Sequence, residues 1–413
     1  MMQNHQLQGQ AELDDSSRVF RWNYILMTTL GLWPASLSDV RFFLNFGYFC
    51  YEMLLEYLDL FLFIDNFENV LMNLTENMAF SQIFIRMLML RVYNSELGEI
   101  IGDAKKDFDA KNYTEEERKT FLAYHVKSRT FMKLLITNTA LTASSYYVKP
   151  LLGQMGELME YANSNGENST FIFMLPYRFY TFYELNDAQT YFWTYGSQLP
   201  FVFISGFGQS AADCLMVTLV YHVSGQMAVL ALRIASIDTH PSKCTQEVQK
   251  IVKAHIRLLR CSYKIKLTNA LQWLRMGKVI QRAFSATLLG HLVGATSLVC
   301  ILGYQILTSL ANGERAILIS FFAFIFLVLL VLYAHCTVGE SLITESERVS
   351  QAYYDCEWYN MSKENARIII LCMARAQKPL QLTAGKFSMF CLQTLTDSIK
   401  ASMGYLSVLR TVM

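Results

Sequence analysis

One stretch of this chain, roughly residues 315–337 and reading AILISFFAFIFLVLLVLYAHCTV, leaves few ways to fold. Water cannot cover so long an apolar run. A bilayer core of about 30 Å is crossed by about 20 mostly apolar helical residues, because a helix satisfies its own backbone polar groups there. The same criterion along the chain yields six more spans, at roughly 42–64, 70–92, 131–149, 188–212, 283–310 and 384–410. The segment 213–235 continues the fourth as an apolar helical extension. An apolar helix over 366–376 precedes the last span and is broken from it at Pro379. The third span is expected to end at Lys149-Pro150, and a tight turn at Asn312-Gly313-Glu314 joins the fifth to the sixth.

Composition agrees. Only 17% of residues are charged, against about 25% in soluble domains, too few to coat a water-facing surface. Net charge is +1, so no basic field argues for nucleic acid. The leading residues MMQNHQLQGQAELDD contain no apolar segment of the kind a cleaved leader carries, so the first span is expected to direct insertion itself.

Lys and Arg fix the orientation, because they concentrate in cytosolic loops. The loop 93–130 holds Lys105, Lys106, Lys111, Arg118, Lys119, Lys127 and Arg129, and 236–282 is richer still. The alternate loops are nearly bare, with Arg178 in 151–187 and Arg315 in 311–315. The N-terminus is therefore inside and, after seven spans, the C-terminus outside. The acceptor sequence Asn168-Ser169-Thr170 then falls outside, as glycosylation requires. Those at Asn112 and Asn360 fall inside and read as chance. The long cytosolic segment carries an amphipathic face through Ile251, Ile256, Leu258, Leu259, Ile265 and Leu267, consistent with a packed helical mass.

Catalytic patterns are absent: no G-x-S-x-G, no phosphate-binding loop, no H-E-x-x-H and no paired cysteines. The nine cysteines show neither zinc spacing nor a disulfide framework. No enzyme, metal or cofactor is expected. His291 and His335 read as bundle histidines. Glu52, Glu56 and Asp59 share one face of the first span, either attracting cations or hydrogen-bonding to neighbouring helices. The outer halves of spans two, three, four and six mix aromatics, Met and hydroxyls: Met78, Phe80, Thr139, Thr142, Tyr146, Tyr191, Tyr195, Phe321 and Phe322. Thr139, Thr142 and Tyr146 lie on one helical face. Such a surface suits either a pocket for a small apolar ligand or ordinary helix packing. Val408 and Val412, one turn apart near the C-terminus, either pack or close a pore by dewetting.

After the sixth span come Gly339-Glu340, Glu345-Ser346, Val349, Ala352-Tyr353 and Trp358-Tyr359. Gln377-Lys-Pro379-Leu-Gln-Leu382-Thr383-Ala384-Gly385-Lys386-Phe387 follows, then Leu392, Ser398, Lys400, Ser402, Tyr405 and Val408-Leu409. This series resembles the insect odorant receptor family, in motifs over its last third and in topology throughout. The resemblance implies an all-α seven-transmembrane subunit of a tetrameric, ligand-gated, non-selective cation channel in the plasma membrane of olfactory neuron dendrites. It implies a volatile ligand in the outer-half pocket, with Val408 and Val412 at the gate and Arg410 departing from the co-receptor's apolar pattern there. The chain lacks the co-receptor's long insertion between spans four and five, and so resembles a tuning subunit that assembles with it.

The implied organisation is a cytosolic N-terminus over 1–41, then spans one to four with the pocket over 42–235. Cytosolic anchor helices occupy 236–282 and spans five and six 283–337. The anchor resumes with the first part of helix seven over 338–383, and the pore-lining part is 384–413. A gustatory-type channel shares this topology, and a G-protein-coupled receptor would need the opposite orientation. An N-terminal epitope tag should therefore be reached by antibody only after permeabilisation, and a C-terminal tag on intact cells; surface labelling of the N-terminal tag would overturn this orientation.

Overall fold

A computed structural model describes residues 2–65, 67–109, 113–163, 174–183, 185, 187–237, 241–259, 276–312, 315–385 and 387–412. Asn168, Asn112, the turn at Gly313-Glu314, and Ile265 and Leu267 of the cytosolic segment lie outside these residues, as do the side chains of Ile256, Leu258 and Leu259. The elements in order are α1 (Met2–Ser17), α2 (Val19–Thr29), α3 (Asp39–Leu62), α4 (Phe67–Val92), α5 (Asn94–Lys106), α6 (Glu115–Asn163), α7 (Ala188–Ser197), α8 (Leu199–Ala235), α9 (Pro241–Leu259), α10 (Met276–Asn312), α11 (Arg315–Asp355), α12 (Lys363–Ala376), strands β1 (Thr383–Ala384) and β2 (Ser388–Met389), and α13 (Leu392–Val412). The seven predicted spans fall on α3, α4, α6, the α7–α8 pair, α10, α11 and α13.

Among the described residues, stretches within Gln189–Ala235, Met276–Leu310 and Phe321–Asn360 are long and apolar enough to cross a membrane by length and composition alone. The remaining spans carry more polar groups, and the structure shows where several of these go. Glu52 and Glu56 of α3 are buried in the bundle, and Asp59 accepts a 2.8 Å hydrogen bond from Asn73 Nδ2 on α4.

Helix ends follow local chemistry. Thr114 and Glu117 form a capping box at the start of α6: Glu117 N donates to Thr114 Oγ1 at 3.4 Å, and Thr114 N donates to Glu117 Oε2 at 3.0 Å. Asp187 caps α7 by accepting from Thr190 N at 3.0 Å. Pro200 sits in the first turn of α8, where its missing N–H costs nothing.

Two boundaries differ from the sequence reading. Pro150 does not end α6, which continues to Asn163; a membrane helix tolerates proline where its surroundings satisfy the freed carbonyl. The polar stretch after the sixth span stays helical as far as Asp355, in keeping with the expected cytosolic helical mass. The last helix begins at Leu392 rather than near 384, because 383–389 form a hairpin pairing Thr383 with Met389 and Ala384 with Ser388. Gly385 makes that turn with φ 62°, a region that side chains disfavour. The hairpin is fastened to α10, with Gly385 N donating to Ser285 O at 3.0 Å and Ser285 Oγ donating to Gly385 O at 2.9 Å.

α8 is the central post. The most apolar window of its span is 89% buried within the chain, and α6, α11, α2 and α4 pack around it. α13 lies against α10 and α11, and α12 against α9 and α11. Cys244, Val248 and Ile251 of α9 are buried; of the amphipathic face read from the sequence, Ile251 alone has a described side chain. At the other end of α8, Arg233 grips Glu117 of α6 with two parallel 2.9 Å bonds. His125, fully buried against Phe108, Phe121 and His222, is held well below its ordinary pKa, first by burial and then by His222 and Arg129. It is therefore neutral at cytosolic pH.

The C-terminal motif residues act mechanically. Glu340 Oε2 accepts from Leu392 N at 3.1 Å, capping α13. Ser346 Oγ accepts from Leu380 N at 2.9 Å. Tyr124 of α6 donates to Glu345 Oε1, Tyr353 and Leu382 are fully buried, and Ser402 donates to Thr296 O at 3.0 Å. Gly339 lets the Phe390 carbonyl rest on α11, since a Cβ there would collide with that backbone oxygen. Gly339→Ala should therefore displace the start of α13, seen as loss of monodisperse receptor in size-exclusion chromatography, whereas Gly404→Ala, whose Cβ would meet nothing within 4 Å, should behave as wild type.

Candidate ligand-binding site

Five helices and one loop line a cavity of about 180 Å3. Each contributes one face at helical spacing. α4 supplies Thr75, Glu76, Ala79, Phe80, Gln82 and Ile83, and α6 supplies Asn138, Thr139, Thr142, Ala143 and Tyr146. α8 supplies Val202, Ser205, Gly206 and Gln209, α10 supplies His291, Ala295 and Leu298, and α11 supplies Phe324, Leu327, Val328 and Val331. Tyr177, from the loop before α7, closes the remaining side.

The walls are mainly aliphatic and aromatic. Tyr146 and Tyr177 stack with ring centroids 6.0 Å apart and planes 9° apart. Phe80 meets Tyr177 edge-on at 5.4 Å, and Phe324 meets Tyr146 at 5.9 Å. Such offset and edge contacts hold rings in place, so one side of the cavity is a fixed aromatic wall. Polar side chains interrupt these walls at Thr75, Glu76, Gln82, Asn138, Thr139, Thr142, Ser205, Gln209 and His291. Thr142 donates its hydroxyl proton to Asn138 O at 2.9 Å, and Ser205 spends its own within α8; both keep lone pairs to offer. Asn138 Oδ1, Glu76 Oε2 and His291 Nε2 are buried and have no hydrogen-bond partner among the described residues. A mostly apolar enclosure with a few polar groups is the usual form of a small-molecule site.

Of the residues picked out from sequence, Phe80, Thr139, Thr142 and Tyr146 line this cavity. Met78 and Phe322 do not. Phe322 is 58% exposed on the outside of α11, about 200° around the helix from Phe324. Tyr191 and Tyr195 form a separate cluster with Tyr147, Leu151 and Leu175, where Tyr191 Oη donates to Met174 O at 3.0 Å. These two tyrosines tie the loop to α7 and α6. Val408 lies on α13 and is 59% exposed, beside Met403 and Tyr405; α13 runs through Val412, but the side chains of Arg410 and Val412 are outside those described.

A polar cluster, not picked out from sequence, adjoins the cavity at His291. Arg86 of α4 places Nε 3.3 Å from Asp213 Oδ1 of α8. His335 Nε2 of α11 lies 3.3 Å from the same oxygen. Arg86 Nη2 lies 3.4 Å from His291 Nδ1, and the two imidazoles meet edge-to-face at 4.8 Å. All four residues are buried. The sequence does carry a signal for it: an Arg and an Asp within apolar spans are costly unless they find each other. Removing one partner of a buried pair strands the other charge. Asp213→Ala should cost about 3–5 kcal/mol, read as a lowered thermal midpoint of the solubilised protein. Combining it with Arg86→Leu should recover part of that loss; a double variant no better than the single would mean that the pair is not coupled.

A family model described as 7tm Odorant receptor matches residues 66–403. Odorant receptor 13a of Drosophila melanogaster is 24% identical over 442 residues, covering 98% of this chain and 93% of that one. Putative odorant receptor 85d of the same species is 26% identical over 241 residues, covering 58% of this chain and 54%, about half, of the relative's length. The structure of the insect olfactory receptor OR5 from Machilis hrabei superposes with a TM-score of 0.67 at 14% identity, covering 91% of this chain and 89% of that one. The same receptor in complex with eugenol gives a TM-score of 0.65, over 97% of this chain and 100% of that one. At 14% identity the likeness is one of fold.

Proposed function

The chain belongs to the 7tm odorant receptor family, and on that premise we propose that it is the odorant-binding subunit of a ligand-gated, non-selective cation channel. Receptors of this family are not enzymes, and the work is binding coupled to opening. The observation that carries the reading is the aromatic-walled cavity between α4, α6, α8, α10 and α11. Its size and lining suit a single small volatile with one or two polar atoms. The structure of a relative with the same fold was determined in complex with eugenol, itself such a molecule.

In this reading α13 lines a shared pore. Val408 and Val412 form the apolar constriction, and the exposed apolar side chains of α13 face neighbouring subunits and the permeation path. The cytosolic ends of α6, α8, α10 and α11, with α9 and α12, form the anchor on which subunits assemble. The partner is the odorant receptor co-receptor in a hetero-tetramer, and the site of action is the dendritic plasma membrane of an olfactory neuron. Ligand opens the channel only through its higher affinity for the open arrangement. The connection runs from the cavity wall on α10 and α11 to α13, which both helices contact.

Currents recorded in cells expressing this chain with and without the co-receptor, across a volatile panel, test the assignment. Odorant-evoked cation current should require both chains. Tyr146→Ala should shift half-maximal concentration about tenfold or more without altering ionic selectivity, because it removes one ring of the stacked wall. Val408→Ser should raise the ligand-free current by wetting the constriction. Unchanged baseline and permeation in Val408→Ser would remove that residue from the gate, and altered selectivity with unchanged ligand response in Tyr146→Ala would remove that residue from the pocket.

A further inference from the structure

Where the N-terminal helices meet the first span, a patch of exposed apolar and basic side chains has no part in ligand binding or gating. Arg21, Trp22 and Ile25 of α2 fall within about 100° of one another around the helix. All three are exposed, Trp22 by 53%. Past the turn at Gly31, Leu37, Val40 and Arg41 are exposed as well. We infer that this patch binds anionic phospholipid of the inner leaflet, with Trp22 and Ile25 in the headgroup layer and Arg21 and Arg41 on lipid phosphates. The inference goes beyond the odorant-receptor reading and depends on neither the pocket nor the gate.

The fold holds the patch at the cytosolic face of the membrane. Asp39, the first residue of α3, pairs with Arg91 in the last turn of α4. These are the cytosolic ends of spans one and two, and Arg41 lies in the first turn of α3. Gly31, with φ 74°, turns the chain so closely that a Cβ there would strike Ser38 O and Phe42 N. Thr29 O accepts from Asn45 Nδ2 at 3.1 Å, so the end of α2 is fixed beside the first turns of α3. The opposite face of α2 is bound to the bundle. Val19, Phe20, Asn23, Leu26 and Met27 are buried, and Asn23 donates to Thr218 Oγ1 of α8 at 2.8 Å, on the cytosolic side of Asp213. The exposed face is thus presented by a helix that is fastened at both its end and its back.

Three observations select lipid as the occupant. The patch leads into the side of α3 that is exposed at Leu44, Leu54 and Phe61, which the bilayer covers on a spanning helix. It lies away from the pore helix, since α2 packs on α8, α6 and α1, whereas α13 packs on α10 and α11. Its charge is uncompensated. Asp15 is engaged by Arg129 at 2.8 Å and Arg18 at 3.3 Å, and Asp39 by Arg91. Arg21 and Arg41 have no carboxylate partner among the described residues. Tryptophan settles at the headgroup level of a membrane, a guanidinium matches the geometry of a phosphate, and the cytosolic leaflet is the one that carries anionic lipid.

Quenching by brominated lipids tests this on the full chain in lipid nanodiscs. The difference between wild type and Trp22→Phe isolates the emission of Trp22 among the five tryptophans. With about 5% of the lipid brominated, that emission should be quenched about fivefold more by phosphatidylserine than by phosphatidylcholine carrying the same label. Arg21→Gln combined with Arg41→Gln should bring the two lipids within about twofold of each other, whereas Arg21→Lys with Arg41→Lys, which keeps both charges, should preserve most of the difference. Trp22 emission quenched by neither lipid would overturn the inference, because protein or water then covers the patch. Equal quenching by both would overturn it too, as apolar contact without headgroup recognition. So would a phosphatidylserine preference that survives the double glutamine variant.

Discussion

Four charged or polarisable side chains from four helices meet in the middle of this bundle, and the arrangement of the bundle depends on their meeting. Arg86 and Asp213 are nearly unexposed, in surroundings where a lone charge is far too costly to keep. Each is acceptable only while α4 and α8 hold the other in reach, and His335 and His291 bring α11 and α10 to the same point. Apolar packing alone offers many near-equivalent rotations of one membrane helix on another. A buried ion pair with two imidazoles removes most of them. The rotations it selects also aim Phe80 and Ile83 of α4, Val202 and Ser205 of α8, Ala295 of α10 and Val328 of α11 at one cavity.

The same geometry explains how one chain serves two ends. The most apolar window of α8 is almost wholly buried, and α8 lines the cavity only through Val202, Ser205, Gly206 and Gln209, so it works as the fixed post. Around it, α10 and α11 run from cavity wall to cytosolic mass, and both touch α13. The recognisable C-terminal motif is the fastening at that corner. Gly339, Glu340 and Ser346 on α11 and Ser285 on α10 bind the residues between Leu380 and Leu392 through backbone groups, leaving side chains of α13 exposed.

Much of this was legible in the sequence. Seven spans followed from run length, because lipid leaves the backbone no alternative to helix. The face with Thr139, Thr142 and Tyr146 followed from spacing, as did the burial of Ile251 on α9. What was not legible depended on partners far along the chain. Phe322 and Phe324 look alike in composition, and only the rotation of α11 decides which faces the cavity. Tyr191 and Tyr195 have the chemistry of pocket residues but meet Tyr147 first. The hairpin at Gly385 hides in a segment whose apolar content suits a helix, and Pro150 mimics a helix end that neighbouring helices override. The ion cluster was visible only as four isolated residues, since pairing them requires knowing which spans are adjacent.

The two members of the central ion pair lie 127 residues apart in the chain. At about 5–20 residues per second, a nascent chain carries Arg86 for roughly 6–25 s before Asp213 is even synthesised. Throughout that interval α8 is absent or incomplete, and Arg86 must be tolerated without its partner. Its place near the cytosolic end of α4 allows this, because a long basic side chain there can reach the headgroups. Asp213 arrives later, within α8. The pair is complete only when these two helices meet, and it becomes a sealed interior contact only when the last helices assemble around it.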